Sequence, residues 1–188
     1  NEKISIKEPF TSLFTQGMVC HETYKDQKGN WISPDDIIKD NEGNCYKKDA
    51  YSEKVTIGKS ESMSKSKKNV IDPNNIIKKY GADSVRFFIL SDSPPDKDVQ
   101  WSDVGIKSSY KYIQKFWSLH IKIKEKIIKN QSGDKKIDEF TNIFLEKISK
   151  NLEKFQFNIM IAAMHEMYSF LLKNFETIEI ENLKKNYK

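Results

Sequence analysis

The side chains best suited to chemistry lie in one short polar stretch, Ser62-Met63-Ser64-Lys65-Ser66, followed by Lys67 and Lys68. An ammonium held between two hydroxyls, with two more ammonium groups behind it, can meet a polyphosphate. When a phosphoanhydride bond breaks, negative charge gathers on the departing phosphates. A lysine that reaches this charge only in the transition state lowers the barrier more than one that binds ground state and transition state alike. Serines on either side keep such a loop polar and able to close over a ligand. The same composition also suits a solvated basic loop, of which a lysine-rich chain offers many.

Other reactive side chains read as structural. Cys20 and Cys45 could pair, although a cytosolic chain favours two free thiols. Zinc is disfavoured, because Cys20-His21 is adjacent rather than spaced as a ligand pair and nothing reads Cys-x-x-Cys. His120 lies on an apolar face and His165 beside one, positions that suit packing better than catalysis. Met160, Met164 and Met167 recur at helical spacing and serve as core filler. Lys107, Lys111, Lys115, Lys122 and Lys124 form a row that could track phosphates. Any solvated helix face looks similar, and Glu125 dilutes the row.

The elements that must position the loop follow from periodicity. Before it, turn signals at Lys28-Gly29-Asn30, Ser33-Pro34-Asp35 and Asp40-Asn41-Glu42-Gly43-Asn44 alternate with the short runs Trp31-Ile32, Ile37-Ile38 and Val55-Thr56-Ile57. This spacing predicts a small β-rich excursion of hairpins over 22–61. After the loop, Asp72-Pro73 can start a helix that ends near Lys78, Lys79 and Gly81. A second short helix starts at Asp83 and stops at Ser93-Pro94-Pro95. From Gly105 the period is helical: Ile113, Phe116, Trp117, His120, Ile123 and Ile127 form one stripe. A break at Gln131-Ser132-Gly133-Asp134 precedes a second stripe, Ile137, Phe140, Phe144, Ile148, Leu152 and Phe155. A third runs Met160, Ala163, Met164, Met167, Phe170 and Leu171. Three amphipathic helices on short links predict an antiparallel bundle.

Composition bounds the function classes. The 188 residues carry 32 Lys plus Arg against 27 Asp plus Glu, a net charge of only +5, so a strongly basic nucleic-acid clamp is excluded. Arg86 is the single arginine. At 37% hydrophobic and 12% aromatic residues, packed cores are expected rather than wholesale disorder. No apolar run approaches the roughly 20 residues of a membrane span. The start, Asn1-Glu2-Lys3-Ile4, has neither an initiator Met nor the long apolar core of a signal peptide. With the end at Asn186-Tyr187-Lys188, it suggests a piece of a longer protein.

The stretch from Ser62 to Trp101 carries a family resemblance. Its first five residues depart at one position, Ser62 for Lys, from the Lys-Met-Ser-Lys-Ser signature of class I aminoacyl-tRNA synthetases. Asp72-Pro73, Tyr80-Gly81-Ala82-Asp83 and Ser93-Pro94-Pro95 follow in the order found in leucyl-tRNA synthetases. Gln16-Gly17-Met18-Val19 sits where that family has a Gln-Gly-Met-Val strand, and Phe155-Gln156-Phe157-Asn158 resembles its Phe-x-Phe-Asn approach to a bundle helix. The chain thus resembles the leucyl enzymes over nearly all its length, apart from the last dozen residues. The isoleucyl, valyl and methionyl enzymes share the loop and a helical bundle. The insertion between Met18 and Ser62 and the Ser-Pro-Pro region favour leucine. A rival from another class is a non-catalytic helical RNA-binding module.

The resemblance implies an α+β fragment in four parts. Residues 1–21 would end a Rossmann-like catalytic domain, and 22–61 would be a small leucine-specific-type insertion. Residues 62–105 would hold the signature loop and a helical connector facing the tRNA stem, and 106–188 a truncated antiparallel bundle that binds tRNA and its anticodon. It implies ATP-dependent activation of leucine, then transfer to tRNA(Leu), in a cytoplasmic monomer with no membrane association. Lys65 would stabilise the pyrophosphate. Ser62, Met63, Ser64, Lys65 and Ser66, with Gln16, Gly17 and Met18, would border the ATP. Ser62 brings no ammonium, and Lys59 is too distant in sequence to be assigned its place. Mg2+ would accompany ATP, and the fragment itself would bind no metal. The leucine pocket and the first nucleotide motif, His-Ile-Gly-His in the family, would lie upstream. Alone, the fragment would be inactive.

Overall fold

A computed structural model of the chain describes residues 8–51, 53–129 and 133–186. Asn1 to Ile4, Gln131-Ser132 of the expected break, and Tyr187-Lys188 lie outside the described residues. The fold is α+β, with a five-stranded mixed sheet and six helices among the described residues. No helix among them is long and apolar enough to cross a membrane.

Strands β1 (Val19–Lys25), β2 (Ile37–Lys39), β3 (Cys45–Lys47), β4 (Lys54–Ser62) and β5 (Val99–Gln100) lie in the order β2-β3-β4-β1-β5. β1 and β4 pair antiparallel with Cys20 opposite Ser62 and His21 opposite Glu61, and the register shifts between Glu22 and Tyr24. β5 lies parallel to β1 on its other edge. The expected runs at 37–38 and 55–57 are strands, whereas Trp31 makes only an isolated bridge to Lys25.

Two turns in this region share one device. Asp26 Oδ1 accepts the backbone N–H groups of Lys28 and Asn30, at 3.0 and 2.8 Å. Asp40 Oδ1 does the same for Glu42 and Asn44, at 2.9 and 2.8 Å. A glycine at positive φ completes each turn: Gly29 at +83° and Gly43 at +87°. Hydrogen bonds, first those from Asn30 and Asn44, hold both aspartates below the usual carboxylate range. Around these turns Tyr24, Ile32, Cys45 and Val55 form a small core. Cys20 and Cys45 are both free thiols, and burial pushes Cys45 up.

Beyond the signature loop, α1 (Pro73–Tyr80) starts as Asp72 accepts the Asn74 N–H at 2.9 Å, and ends with the Gly81 N–H on the Ile77 carbonyl. α2 (Ala82–Asp92) follows at once, one residue earlier than Asp83 suggests. Phe88, Val99 and Ile106 make a second core joining α2, β5 and α3.

α3 (Asp103–Lys129) buries Ile106, Ser109, Tyr112, Leu119, Ile123 and Lys126. The stripe read from the sequence matches this face in part: Ile127 packs against the core, and Ile113 and His120 are half-buried. Ile123 is inside, but Phe116 and Trp117 are 42% and 61% exposed. Large aromatics drew the reading towards themselves, while small or polar Ser109 and Lys126 mark the true inner face. Lys126 is tolerated there because its ammonium donates to the carbonyls of Phe175 and Glu176, at 2.6 and 2.9 Å.

α4 (Asp138–Glu153) and α5 (Phe157–Asn174) match the second and third stripes, although Leu152 and Phe155 are exposed. Phe155 occupies the corner between them at φ +55°. A further helix, α6 (Ile180–Asn186), has no counterpart in the sequence reading. It is tied to the start of α4. Asn182 Oδ1 accepts the Ile137 N–H at 2.7 Å, and Asp138 accepts from Lys185, Asn182 and Asn186. Those bonds, Lys185 first, hold Asp138 well below the usual carboxylate range. Leu119, Ile123, Ile137, Ile178 and Leu183 form the third core, with Tyr168, Phe170 and Leu171 against it. Phe140 stacks on Phe170 at 3.8 Å between ring centroids.

Candidate active-site loop

The loop hangs from the end of a strand pair. Because Cys20 faces Ser62, the approach Gln16-Gly17-Met18 to β1 lies beside the root of the loop. The Met63 N–H donates to the Val19 carbonyl at 3.0 Å, extending the pairing one step past Ser62.

On the other edge of β1, the segment after Ser93-Pro94-Pro95 is stitched to the same residues. The Gly17 N–H donates to the Pro95 carbonyl at 2.8 Å, and Met18 N–H to Asp98 Oδ1 at 2.8 Å. Val99 N–H and Trp101 N–H then donate to the carbonyls of Met18 and Cys20. Gly17 is forced by this closeness: a Cβ there would stand 2.0 Å from the Lys97 carbonyl oxygen. The three sequence landmarks, at 16–18, 62–66 and 93–95, thus meet at one end of the sheet.

Within the loop the hydroxyls are already organised. Ser64 Oγ lies 3.0 Å from Ser66 Oγ and accepts the Lys67 N–H at 3.3 Å. A turn closes from the Lys68 N–H to the Lys65 carbonyl at 3.2 Å, with Lys68 at φ +54°. The three lysines are not equivalent. The Lys67 ammonium is paired with Glu61, whereas Lys65 is exposed and enters no ion pair among the described residues. Ser62 is exposed, its hydroxyl 4.0 Å from Cys20 Sγ.

Asn69, which the sequence reading passed over, is the side chain that joins these parts. It is 0% exposed. Its Oδ1 accepts the Ser64 N–H at 2.8 Å, and its Nδ2 donates to the carbonyls of His21 and Glu61 at 3.2 and 3.1 Å, with Ser62 O at 3.5 Å. An asparagine after two lysines looks like another turn residue. The available signal was its place between a basic run and apolar Val70-Ile71. Glu61 and Asp98 were also missed, because single acids carry no pattern.

The remaining candidates fall elsewhere. His165 sits 4.0 Å from the Tyr112 ring, centroid to centroid, with Phe87 at its edge. Desolvation by the packed rings lowers the His165 pKa although the residue as a whole is exposed, and burial pushes Tyr112 up to about 12. Trp117 stacks on His120 at 5.1 Å. Lys107, Lys111, Lys115, Lys122 and Lys124 are all exposed on α3. No group of three or more His, Cys, Asp or Glu among the described residues is placed to hold a metal ion.

The profile of the tRNA synthetases class I (I, L, M and V) matches residues 41–102, which span the loop, α1, α2 and β5. Leucine–tRNA ligase of Zymomonas mobilis is 42% identical over 171 residues, covering 91% of this chain and 20% of that protein. That of Orientia tsutsugamushi is 42% identical over 179 residues, 95% of this chain and 21% of that protein. The chain belongs to the class I tRNA synthetases. Within the family its relatives are leucine–tRNA ligases, and it spans about a fifth of their length. The fold agrees. The LeuRS–tRNA–LeuAMS ternary complex of Agrobacterium radiobacter superposes with a TM-score of 0.60 at 21% identity, over 67% of this chain and 17% of that one.

Proposed function

We propose that the whole protein activates leucine with ATP and transfers it to tRNA(Leu), and that this chain supplies one wall of the ATP site. The observation that carries the reading is the contrast within the loop. Lys67 is held by Glu61, while Lys65 stands exposed between two serines whose hydroxyls are organised beside it. As the carboxylate of leucine attacks the α-phosphate, the bond to the pyrophosphate breaks. Lys65 would meet the charge released there. Ser62, Met63, Ser64 and Ser66 would border the nucleotide with Gln16, Gly17 and Met18. ATP would bring Mg2+ on its own phosphates.

The division into 1–21, 22–61, 62–105 and 106–188 belongs to the same reading. The first part would end a Rossmann-like domain and the last would be a truncated tRNA-binding bundle, with exposed lysines on α3 available to phosphates. The leucine-ligase relatives support leucine over the isoleucyl, valyl and methionyl alternatives. We place the protein in the cytoplasm as a monomer.

Leucine-dependent exchange of pyrophosphate into ATP by the intact protein tests this. Exchange with leucine but not with isoleucine, valine or methionine is expected, and no exchange with leucine would reject the reading. The 188-residue chain by itself is expected to fold yet not to charge tRNA, since one wall of a site lacks most of the preorganised groups. Leucyl-tRNA formed by the purified chain would show that the active site is complete within it.

A further inference from the structure

The geometry points to Asn69 as the positioning residue of the loop: its buried amide fixes the pivot from which Lys65 swings onto the nucleotide. The inference rests on the leucine-activating reading above. A primary amide offers two N–H donors and one carbonyl acceptor, and Asn69 uses both kinds. The acceptor takes the N–H of Ser64, inside the loop. The donors reach the carbonyl of His21 on β1 and those of Glu61 and Ser62 at the end of β4. One side chain therefore ties both strands to the residue that immediately precedes Lys65.

This arrangement fixes where the loop can move. The Met63 N–H on Val19 O secures the residue before Ser64, and Asn69 secures Ser64 itself. Beyond Ser64 the chain is closed by the turn from Lys68 N–H to Lys65 O and Lys67 is held by Glu61, so the part left to move is the exposed Lys65. The Cα of Lys65 is then about 3.8 Å from a fixed point, the length of one peptide step. Without the amide that fixed point retreats to Met63, and the root of the loop loses a partner for a backbone donor.

The chemistry selects asparagine. Aspartate has the same shape and could still accept from Ser64, but it would turn a carboxylate oxygen towards three carbonyl oxygens. Alanine leaves the Ser64 N–H without its partner in a partly buried place. The residue touches neither nucleotide nor leucine in this scheme, so its effect is exerted through Lys65.

The test uses the intact protein, with pyrophosphate exchange as the readout. Asn69→Ala is expected to lower kcat by about 10- to 100-fold, the range in which a misplacement of about 1 Å falls, with the KM for leucine changed less than about threefold. The decisive arm is the pair Lys65→Ala and Lys65→Ala/Asn69→Ala. If Asn69 acts through Lys65, the double variant is no slower than Lys65→Ala alone. Losses that multiply, or a kcat for Asn69→Ala equal to wild type, would overturn the proposal. If Asn69→Ala does not stay folded, Asn69→Gln, which moves the amide outward by one methylene, is held to the same criteria. A further readout needs no activity. In the 188-residue chain, hydrogen exchange over 62–69 should speed up in the variant while exchange over α4 and α5 stays the same. Equal exchange over 62–69 would also overturn it. An intact wild-type protein without leucine-dependent exchange would instead reject the functional reading, and the hydrogen-exchange arm would still decide whether Asn69 holds the loop.

Discussion

The strand region from Val19 to Ser62 and the helical region from Asp103 to Asn186 hold themselves together by different means. Four buried residues, Tyr24, Ile32, Cys45 and Val55, make the core of the first, and its shape comes from hydrogen bonds at Asp26, Asp40 and Asn69. The second relies on apolar packing around Leu119, Ile123, Ile137, Ile178 and Leu183. A small core cannot define a loop by burial, because too few apolar contacts meet at its base. Directional bonds can, since an amide at hydrogen-bond distance specifies position more sharply than a methyl group does. The signature loop sits on the region whose geometry is set by such bonds.

The comparison predicts where stability and activity separate. The largest stability loss should come from the helical core: Leu183→Ala is expected to cost about 2–5 kcal/mol in denaturant unfolding, as buried Leu-to-Ala changes do, with m unchanged. A cost under about 1 kcal/mol would mean that α6 contributes little to that core. The largest activity loss should come from the other region. Lys65→Ala in the intact protein is expected to raise the barrier to adenylate formation by roughly 2–4 kcal/mol with little change in ATP affinity or in melting temperature. Exchange at the wild-type rate would remove Lys65 from the chemistry.

What the sequence disclosed follows the same division. Turn residues were legible because Asp, Asn and Gly at fixed offsets have one local use, and both Asp-x-x-Gly-Asn turns formed as expected. Helix starts were legible at Asp72-Pro73 for the same reason. The inner face of α3 was legible only in part, because it includes Ser109 and Lys126, whose burial depends on partners far away in the chain. α6 was missed because seven residues are too few to show a period. Lys65 could be proposed from its motif, but the difference in pairing between Lys65 and Lys67 could not be read there. It depends on Glu61, a strand residue brought near by the β4-to-loop geometry. Asn69 was hidden for a related reason: its partners lie on β1 and β4, and only the register places them together.

A sharper cut tests whether the two regions are independent. A chain beginning at Ser62 lacks β1 to β4, so β5 loses its partner, but the core around Leu119 and Leu183 is intact. Its helical circular dichroism per residue should be retained, and it should melt cooperatively within a few degrees of the whole chain. A non-cooperative melt would show that the sheet supports the helices through Phe88, Val99 and Ile106.

The smallest effect concerns the seam between α2, α3 and α5, where His165 lies against Tyr112 and Phe87. Desolvation there lowers the pKa of His165, so the folded chain prefers the neutral ring. The unfolded chain, with an ordinary histidine near about 6.5, takes up a proton first as pH falls. Stability linked to this group is therefore complete above about pH 6.5 and declines as the pH drops from there through the lower, folded-state pKa. The ionisable group packed against the ring is Tyr112. Tyr112 is neutral across this window, and burial raises it further, to about 12. His165→Phe keeps an aromatic ring and removes the proton site. Between pH 7.5 and 5.5 the wild type should lose more in Tm than this variant, by a small amount because His165 is exposed on its outer side and solvent screens it. Identical pH dependence in the two would mean that solvent reaches the ring freely, and that the seam closes on Phe87 and Tyr112 without it.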